Sequence, residues 1–157
     1  MSPPRPWNAE VARSLIDAEE SQEGALLPIL HRLQHAFGCV PDEAVPLVAE
    51  ALNISRAEVH GVVTFYHDFR RQPAGRRVVK LCQAEACQAR GGRAVTAAAL
   101  AEAGVALGGT TADGELTVEA VYCLGLCASG PAALVDGQPV ARLNEAGAAA
   151  LVSGEMA

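Results

Sequence analysis

Apolar residues in the first half of the chain recur every three or four positions, the spacing that places them on one face of an α-helix. This spacing predicts four helices, over residues 9–20, 24–38, 42–52 and 55–69. Asn8 is a candidate cap for the first helix, because its side chain can accept a backbone N–H there. Ser55 and Glu58 have the spacing of a capping box, which predicts where the fourth helix begins. Residues 1–75 therefore predict a helical bundle.

The hydrophobic period changes after RRQPAGRR (70–77), whose proline and glycine are typical of a linker. The elements predicted beyond it are a strand over 77–82, a helix over 89–103, a short strand or loop around 105–107, a strand over 115–123, a hairpin over 132–143 and a closing helix capped by Asn144. The hairpin is expected to turn at Asp136-Gly137. This order is that of a small α/β sandwich. We therefore expect an α+β protein, with a helical bundle over 1–75 and an α/β domain over 76–157.

Composition narrows the class of protein further. Half of the 157 residues are hydrophobic and 19% are charged, which is enough for a buried core. The net charge is −6 and both halves are acidic, which excludes a general nucleic-acid binder. No apolar run reaches membrane-spanning length, and the N-terminal segment MSPPRPWNAEV lacks the apolar stretch of a signal peptide. We expect a cytoplasmic protein without membrane insertion.

Five cysteines carry the candidate chemistry. An odd number cannot all pair in disulfides, and a reducing compartment disfavours such bonds. Cys82 and Cys87 form a C-x4-C pair and Cys123 and Cys127 form a C-x3-C pair. Cys39 stands alone and is interpreted as a buried small hydrophobe. Because each pair begins where a predicted strand ends, two loops at one sheet edge could bring four sulfurs together, where a metal or cluster must offset their charge.

Three kinds of site are compatible with four cysteines. An iron–sulfur cluster takes four cysteine ligands and needs small residues that let backbone N–H groups approach its sulfurs. Alanines and glycines lie in and beside both pairs here. Zinc also binds four cysteines, but its pairs are most often C-x2-C. A thiol–disulfide oxidoreductase uses C-x-x-C at a helix start, a motif that this sequence lacks. The spacing favours the cluster and leaves the other two as alternatives.

Four stretches of the chain resemble one known family. QEGALLPILHRLQHAFGCVP, EVHGVVTFYHDFR, LCQAEACQARGG and YCLGLCASGPAALVDG are similar to the thioredoxin-like 2Fe–2S ferredoxin subunit of NADH:quinone oxidoreductase (respiratory complex I). Relatives of that subunit occur in NAD-reducing hydrogenases and NAD-dependent formate dehydrogenases. The match runs from about residue 10 to residue 150. EVHGVVTFYHDFR and CQAEACQARG look closest to the gamma subunit of the soluble formate dehydrogenases.

The resemblance implies a thioredoxin-like second domain in which Cys82, Cys87, Cys123 and Cys127 hold one 2Fe–2S cluster. It also implies a partner subunit that binds FMN and NAD, with a molybdenum-containing catalytic subunit in a formate dehydrogenase. The expected function is electron transfer to or from that FMN in an NAD-dependent formate dehydrogenase. The equivalent subunit of an NADH:quinone oxidoreductase or an NAD-reducing hydrogenase is the alternative. The chain has no GxGxxG or P-loop, as expected of a redox subunit without a complete active site.

Other motifs allow other interpretations. His31 and His35 lie one helical turn apart, but the glutamate of a zincin motif is missing, so we interpret them as a solvated or interface face. His60 and His67 are expected to share a face of the fourth helix, either buried or in a docking surface. LNISRAEVHGVV (52–63) also looks like a helix–turn–helix with a single arginine at the start of its second helix. A metal-bearing DNA-binding regulator is therefore a remote alternative.

Overall fold

The computed structural model describes residues 5–155, and the chain forms two compact units whose boundary falls between Pro73 and Ala74. Residues 1–4, part of the N-terminal segment that is expected to lack a signal peptide, and residues 156–157 lie outside the described part. Among the described residues, no helix combines the length and the apolar character needed to cross a membrane.

The first unit is built of helices, as the apolar spacing predicts. They are α1 (Ala9–Asp17), α2 (Leu26–Phe37), α3 (Ala44–Ala51) and α4 (Arg56–Phe65). Both predicted caps form: the Asn8 side chain accepts from two backbone N–H groups, and Ser55 and Glu58 complete a capping box. One core joins the four helices, and its largest fully buried side chains are Ile16, Ile29, Leu30, Leu33, Val40, Val48 and Val59.

The fourth helix is shorter than its hydrophobic pattern predicts. It ends at Phe65, because Tyr66 adopts an extended conformation with φ −87° and ψ 105°. The chain then turns, so that Phe69 is buried in the core while Phe65 and Tyr66 stay exposed. The prediction that His60 and His67 share a helical face is therefore wrong, since His67 lies on this turn.

The second unit contains a four-stranded sheet. Its elements are β1 (Arg77–Cys82), α5 (Glu85–Ala89), α6 (Gly92–Ala103), β2 (Leu116–Val121), β3 (Ala133–Val135), β4 (Gln138–Val140) and α7 (Glu145–Ser153). The strand order is β2-β1-β3-β4, with β1 parallel to β2 and the other neighbours antiparallel. Helices α6 and α7 share a buried core with the sheet, to which Val79, Val118 and Leu151 contribute. The expected α+β fold class is confirmed.

The parallel pairing of β1 and β2 determines where the cysteine loops lie. In the register of the two strands, Cys82 lies opposite Val121, so both carboxyl ends reach the same edge of the sheet. Parallel strands need a crossover connection, and α6 lies in that connection here. Both cysteine-bearing loops therefore begin at one edge.

Local details of the second unit agree only in part with the elements predicted from the sequence. The hairpin turns at Asp136-Gly137 as predicted, with positive φ values of 49° and 85°. The Asp136 side chain also accepts from the backbone N–H of Val78, at 2.8 Å. The short helix α5 was not predicted, and residues 105–107 form no strand. Strand β2 ends at Val121, two residues before Cys123, rather than at the cysteine itself.

Candidate metal centre

The first cysteine loop joins β1 to α5. Cys82 is the last residue of β1, where its backbone N–H donates to the carbonyl oxygen of Ala132 at 3.0 Å. Cys87 lies on α5, a single short turn of helix that places it next to Cys82. Both side chains are buried, with 5% and 3% of their surface exposed. This loop therefore supplies an inner pair of sulfurs.

The second cysteine loop follows β2 and lies at the surface. Cys123 has a positive φ of 75°, which is uncommon for a residue other than glycine, and Gly125 follows with φ 73°. Cys127 begins a single 3₁₀ turn, Cys127–Ser129. Both cysteines are exposed, and Tyr122 beside them has 74% of its surface exposed. This loop supplies an outer pair.

The sulfurs approach each other in the same two pairs. The Sγ atoms of Cys123 and Cys127 are 3.9 Å apart. Two thiolates bound to one tetrahedral metal at about 2.3 Å each would lie ~3.8 Å apart. The thiol of Cys87 donates a hydrogen bond to Cys82, and electrostatic interactions link Cys127 to both inner cysteines. The four predicted ligands thus lie at one edge of the sheet as two close pairs, and none is in a disulfide.

Backbone N–H groups point at the inner sulfurs. Burial alone would raise the pKa of Cys82, but N–H groups of Ala84, Cys123 and Leu124 donate to its sulfur, together with the Cys87 thiol. The net result is a pKa of Cys82 below its ordinary value, so the site favours a thiolate there. The donors come from both loops, which ties the loops together around Cys82.

The pKa values of the Cys87 and Cys127 thiols are both raised. Burial, together with the hydrogen bond to Cys82, raises the pKa of the Cys87 thiol, although the Ala132 N–H opposes the shift. The hydrogen bond and charge of Cys123 raise the pKa of Cys127. Neighbouring thiolates therefore oppose one another, and a positively charged metal bound between them would remove that opposition.

Two glycines approach Cys87 so closely that a larger residue would crowd it at either position. A Cβ atom at Gly130 would lie 3.0 Å from the Sγ of Cys87, so glycine is what lets the second loop approach so closely. Similarly, a Cβ at Gly92 would lie 2.7 Å from the carbonyl oxygen of Cys87. Small residues and inward-pointing N–H groups are what an anionic cluster with four thiolate ligands requires. The donor set and the cradle therefore fit such a cluster.

Other candidate groups lie elsewhere or were missed. Within residues 5–155, no three or more Cys, His, Asp and Glu side chains are arranged to hold one metal ion, so the cysteines at this edge stand as two pairs and not as a four-ligand site for a single metal. The exposed His31 ring packs against Phe69 in a tilted arrangement, with 4.9 Å between ring centroids, and Cys39 is buried. The N–H donors of Ala84, Leu124 and Ala132 were missed, because backbone direction leaves no mark in the sequence; the small residues at these loops were the available signal.

The sequence matches a known family and several relatives. Residues 12–154 match the family described as thioredoxin-like [2Fe-2S] ferredoxin. The HndA subunit of the NADP-reducing hydrogenase of Solidesulfovibrio fructosivorans is 35% identical over 88 residues, which cover 56% of this chain and 51% of HndA. A subunit of the NADH-quinone oxidoreductase of Pseudomonas aeruginosa PAO1 is 37% identical over 87 residues, which cover 53% of this chain and 52% of that relative.

A solved structure shows the same fold. A chain of the NAD+-reducing [NiFe]-hydrogenase in the air-oxidized state matches with a TM-score of 0.68 and 27% identity, covering 84% of this chain and 23% of that one. The matches span about half the length of the curated relatives. The family match, by contrast, covers nearly all of the sequence, including both cysteine pairs. The chain belongs to the thioredoxin-like [2Fe-2S] ferredoxin family.

Proposed function

We propose that this chain is an electron-transfer subunit that holds one [2Fe–2S] cluster on Cys82, Cys87, Cys123 and Cys127. The observation that carries the proposal is the convergence of two cysteine pairs at one edge of the β1–β2 sheet. When bound, the cluster supplies a one-electron redox couple. Each cysteine pair would hold one iron, the inner pair beneath the surface and the outer pair at it.

The backbone around the inner pair would make reduction easier. A [2Fe–2S] centre with four thiolates carries a net charge of −2 and gains another negative charge on reduction. The N–H groups of Ala84, Cys123 and Leu124 already point at the Cys82 sulfur, so they stabilise added negative charge without rearrangement. The exposed outer pair provides the side from which an electron can enter or leave.

We propose a flavin subunit, binding FMN and NAD, as the electron-transfer partner. The chain contains no dinucleotide or P-loop motif, so hydride chemistry would belong to the partner. The names of two relatives support a pyridine-nucleotide-linked complex: one belongs to an NADP-reducing hydrogenase and the other to an NADH-quinone oxidoreductase.

Within that class we propose an NAD-dependent formate dehydrogenase with a molybdenum-containing catalytic subunit. This choice depends on the resemblance of EVHGVVTFYHDFR and CQAEACQARG to its gamma subunit. The second candidate is the equivalent subunit of an NADH-quinone oxidoreductase or an NAD-reducing hydrogenase, which the relatives described above favour.

Metal analysis of the purified chain tests the cluster. We expect about two irons and two acid-labile sulfides per chain, and a paramagnetic signal on one-electron reduction. Cys127→Ser should abolish or strongly shift that signal, whereas Cys39→Ala, at the buried cysteine outside the site, should leave it unchanged. Zinc without iron or sulfide in the wild-type protein would refute the proposal.

Purification from the native cell tests the complex. A tagged chain should bring down a flavoprotein and, for a formate dehydrogenase, a molybdenum subunit. The isolated complex should then reduce NAD+ with formate. Reduction of NAD+ with hydrogen, or of a quinone with NADH, would replace formate dehydrogenase by the second candidate.

A further inference from the structure

Arg90 joins the two cysteine loops through its side chain. It follows α5 directly, and its backbone N–H donates to the carbonyl oxygen of Cys87 at 3.2 Å. Its side chain leaves this turn and donates through Nε to the carbonyl oxygen of Gly130 at 2.9 Å. Arg90 is thus bound to the first loop by its backbone and to the second by its guanidinium.

Gly130 is the residue whose position matters most to Cys87. It is buried, and it comes so close to Cys87 that a Cβ on it would lie 3.0 Å from the sulfur. Its own N–H donates to the carbonyl oxygen of Cys127, at 3.3 Å, so it is also tied to the outer pair. A shift of Gly130 would therefore move the backbone that lies against the Cys87 sulfur and the turn that carries Cys127.

We propose that Arg90 is a positioning residue for the cluster: by holding the Gly130 carbonyl, it keeps the second cysteine loop against Cys87. The proposal depends on the cluster assignment above. It follows from a closed path of contacts, from Cys87 through the α5 turn to Arg90, across to Gly130, and back to the sulfur of Cys87. Without the guanidinium, the buried carbonyl loses this donor, and the loop around Gly130 is held only through its neighbours, by the bonds from Arg142 to Ser129 and from Leu143 to Pro131.

Three variants separate this role from a general effect of charge. Arg90→Met keeps the stem of the side chain out to the position of Nε and removes every donor. Arg90→Lys keeps a charged donor group, the ammonium, in place of the guanidinium. Arg93→Met, on α6, removes an exposed positive charge three residues further along and is the matched control. Each protein is loaded with iron and sulfide, and two quantities are measured: the rate of iron release to a chelator and the paramagnetic spectrum of the reduced protein.

We expect Arg90→Met to release iron about tenfold faster than wild type, in line with the loss of a hydrogen bond to a buried carbonyl. Its reduced spectrum should shift or broaden, and Arg90→Lys should recover part of both effects. Arg93→Met should stay within about twofold of wild type, since an exposed side chain away from special features has little effect. Release from Arg90→Met at the wild-type rate with an unchanged spectrum would overturn the proposal. Equal effects of Arg90→Met and Arg93→Met would also overturn it.

Two further outcomes are distinguishable. If Arg90→Met holds no cluster, the thermal midpoint of its cluster-free form decides: a midpoint equal to wild type supports a role at the site, and a clearly lower one shows a general folding role and overturns the proposal. If wild type itself contains no iron and sulfide, the proposed function has failed, whatever Arg90 does.

Discussion

Adding one methyl group at Gly130 tests whether the fit between the second loop and Cys87 matters for the cluster. Gly130 has φ −68° and ψ 163°, a conformation that alanine adopts without strain, so Gly130→Ala changes contacts rather than backbone preference. The new Cβ would lie 3.0 Å from Cys87 Sγ, roughly 0.5–1 Å inside an optimal non-bonded separation. The α5 turn that carries Cys87 has little room to shift towards α6, because even a Cβ at Gly92 would lie 2.7 Å from the carbonyl oxygen of Cys87.

The size of the effect follows from two opposing contributions. Overpacking of this kind costs about 1–3 kcal/mol. Replacing glycine by alanine also restricts the unfolded chain, which stabilises the folded state by about 0.4–1 kcal/mol. The expected net loss is about 1–2 kcal/mol, or ~5- to 30-fold in an equilibrium constant.

The assay compares cluster retention and stability in matched variants. Wild type, Gly130→Ala and Gly61→Ala are loaded with iron and sulfide, and iron release and denaturant unfolding are followed. Gly61 is a suitable control, because it lies in α4 and a Cβ there meets nothing within 4 Å. Gly61→Ala should retain the cluster and gain about 0.5–1 kcal/mol of helix stability. Wild-type iron release and unfolding in Gly130→Ala would refute the argument.

Two more predictions concern the rest of the fold. Hydrogen bonds from the backbone and side chain of Ser55 lower the pKa of Glu58. The stabilisation from the ionised Glu58 carboxylate is therefore present above the pKa of Glu58 in the unfolded chain and is lost as the pH falls through its pKa in the folded protein. Denaturant midpoints across acidic pH should show this loss in wild type, and a curve of the same shape in Glu58→Gln would contradict it. Asp136→Ala should destabilise the second unit by about 1–2 kcal/mol, because alanine disfavours φ 49° and cannot accept the hydrogen bond from Val78. Asp136→Asn should lose less stability, because asparagine tolerates positive φ and keeps an accepting oxygen. Equal unfolding midpoints for the two variants would show that an accepting side chain at this position is not needed.

Elements with strong local signals were predictable from the sequence. RVVKLC forms β1 over the predicted residues, since a short run of apolar and β-branched residues ends where the loop begins. The hairpin forms at Asp136-Gly137 because these residue types tolerate positive φ. The capping box at Ser55 marks the start of α4 because the side chains of Ser55 and Glu58 bond to the backbone of their own turn, which is also a local effect.

The end of α4 and the short helix α5 depend on tertiary structure instead. No glycine or proline follows Phe65 for several residues, and the helix stops because burial of Phe69 in the core requires a turn. Helix α5 has five residues, too few for a hydrophobic period to be visible. Local spacing therefore predicts that a longer helix such as α4 is present but not where it ends, and it misses a helix as short as α5.

The cysteine spacing predicted where the candidate site lies, but not that its two pairs differ in exposure. The two cysteine pairs at strand ends predicted that both loops meet at one sheet edge, and the structure places them there as two pairs, Cys82 with Cys87 and Cys123 with Cys127. That Cys82 and Cys87 are buried while Cys123 and Cys127 are exposed follows from the path of each loop over the sheet edge. The positive φ of Cys123, which turns its N–H towards Cys82, comes from that path too.

The parallel pairing of β1 and β2 also has a consequence for folding. Because a crossover must separate parallel strands, the inner and outer cysteines are far apart in sequence, with about 40 residues between Cys82 and Cys123. A cluster bound to both loops cross-links the chain over that distance. By analogy with a disulfide closing such a loop, the cross-link would remove about 4 kcal/mol of chain entropy from the unfolded state. Cluster insertion and folding of the second unit are then thermodynamically coupled, and losing the cluster would expose this unit to unfolding and proteolysis.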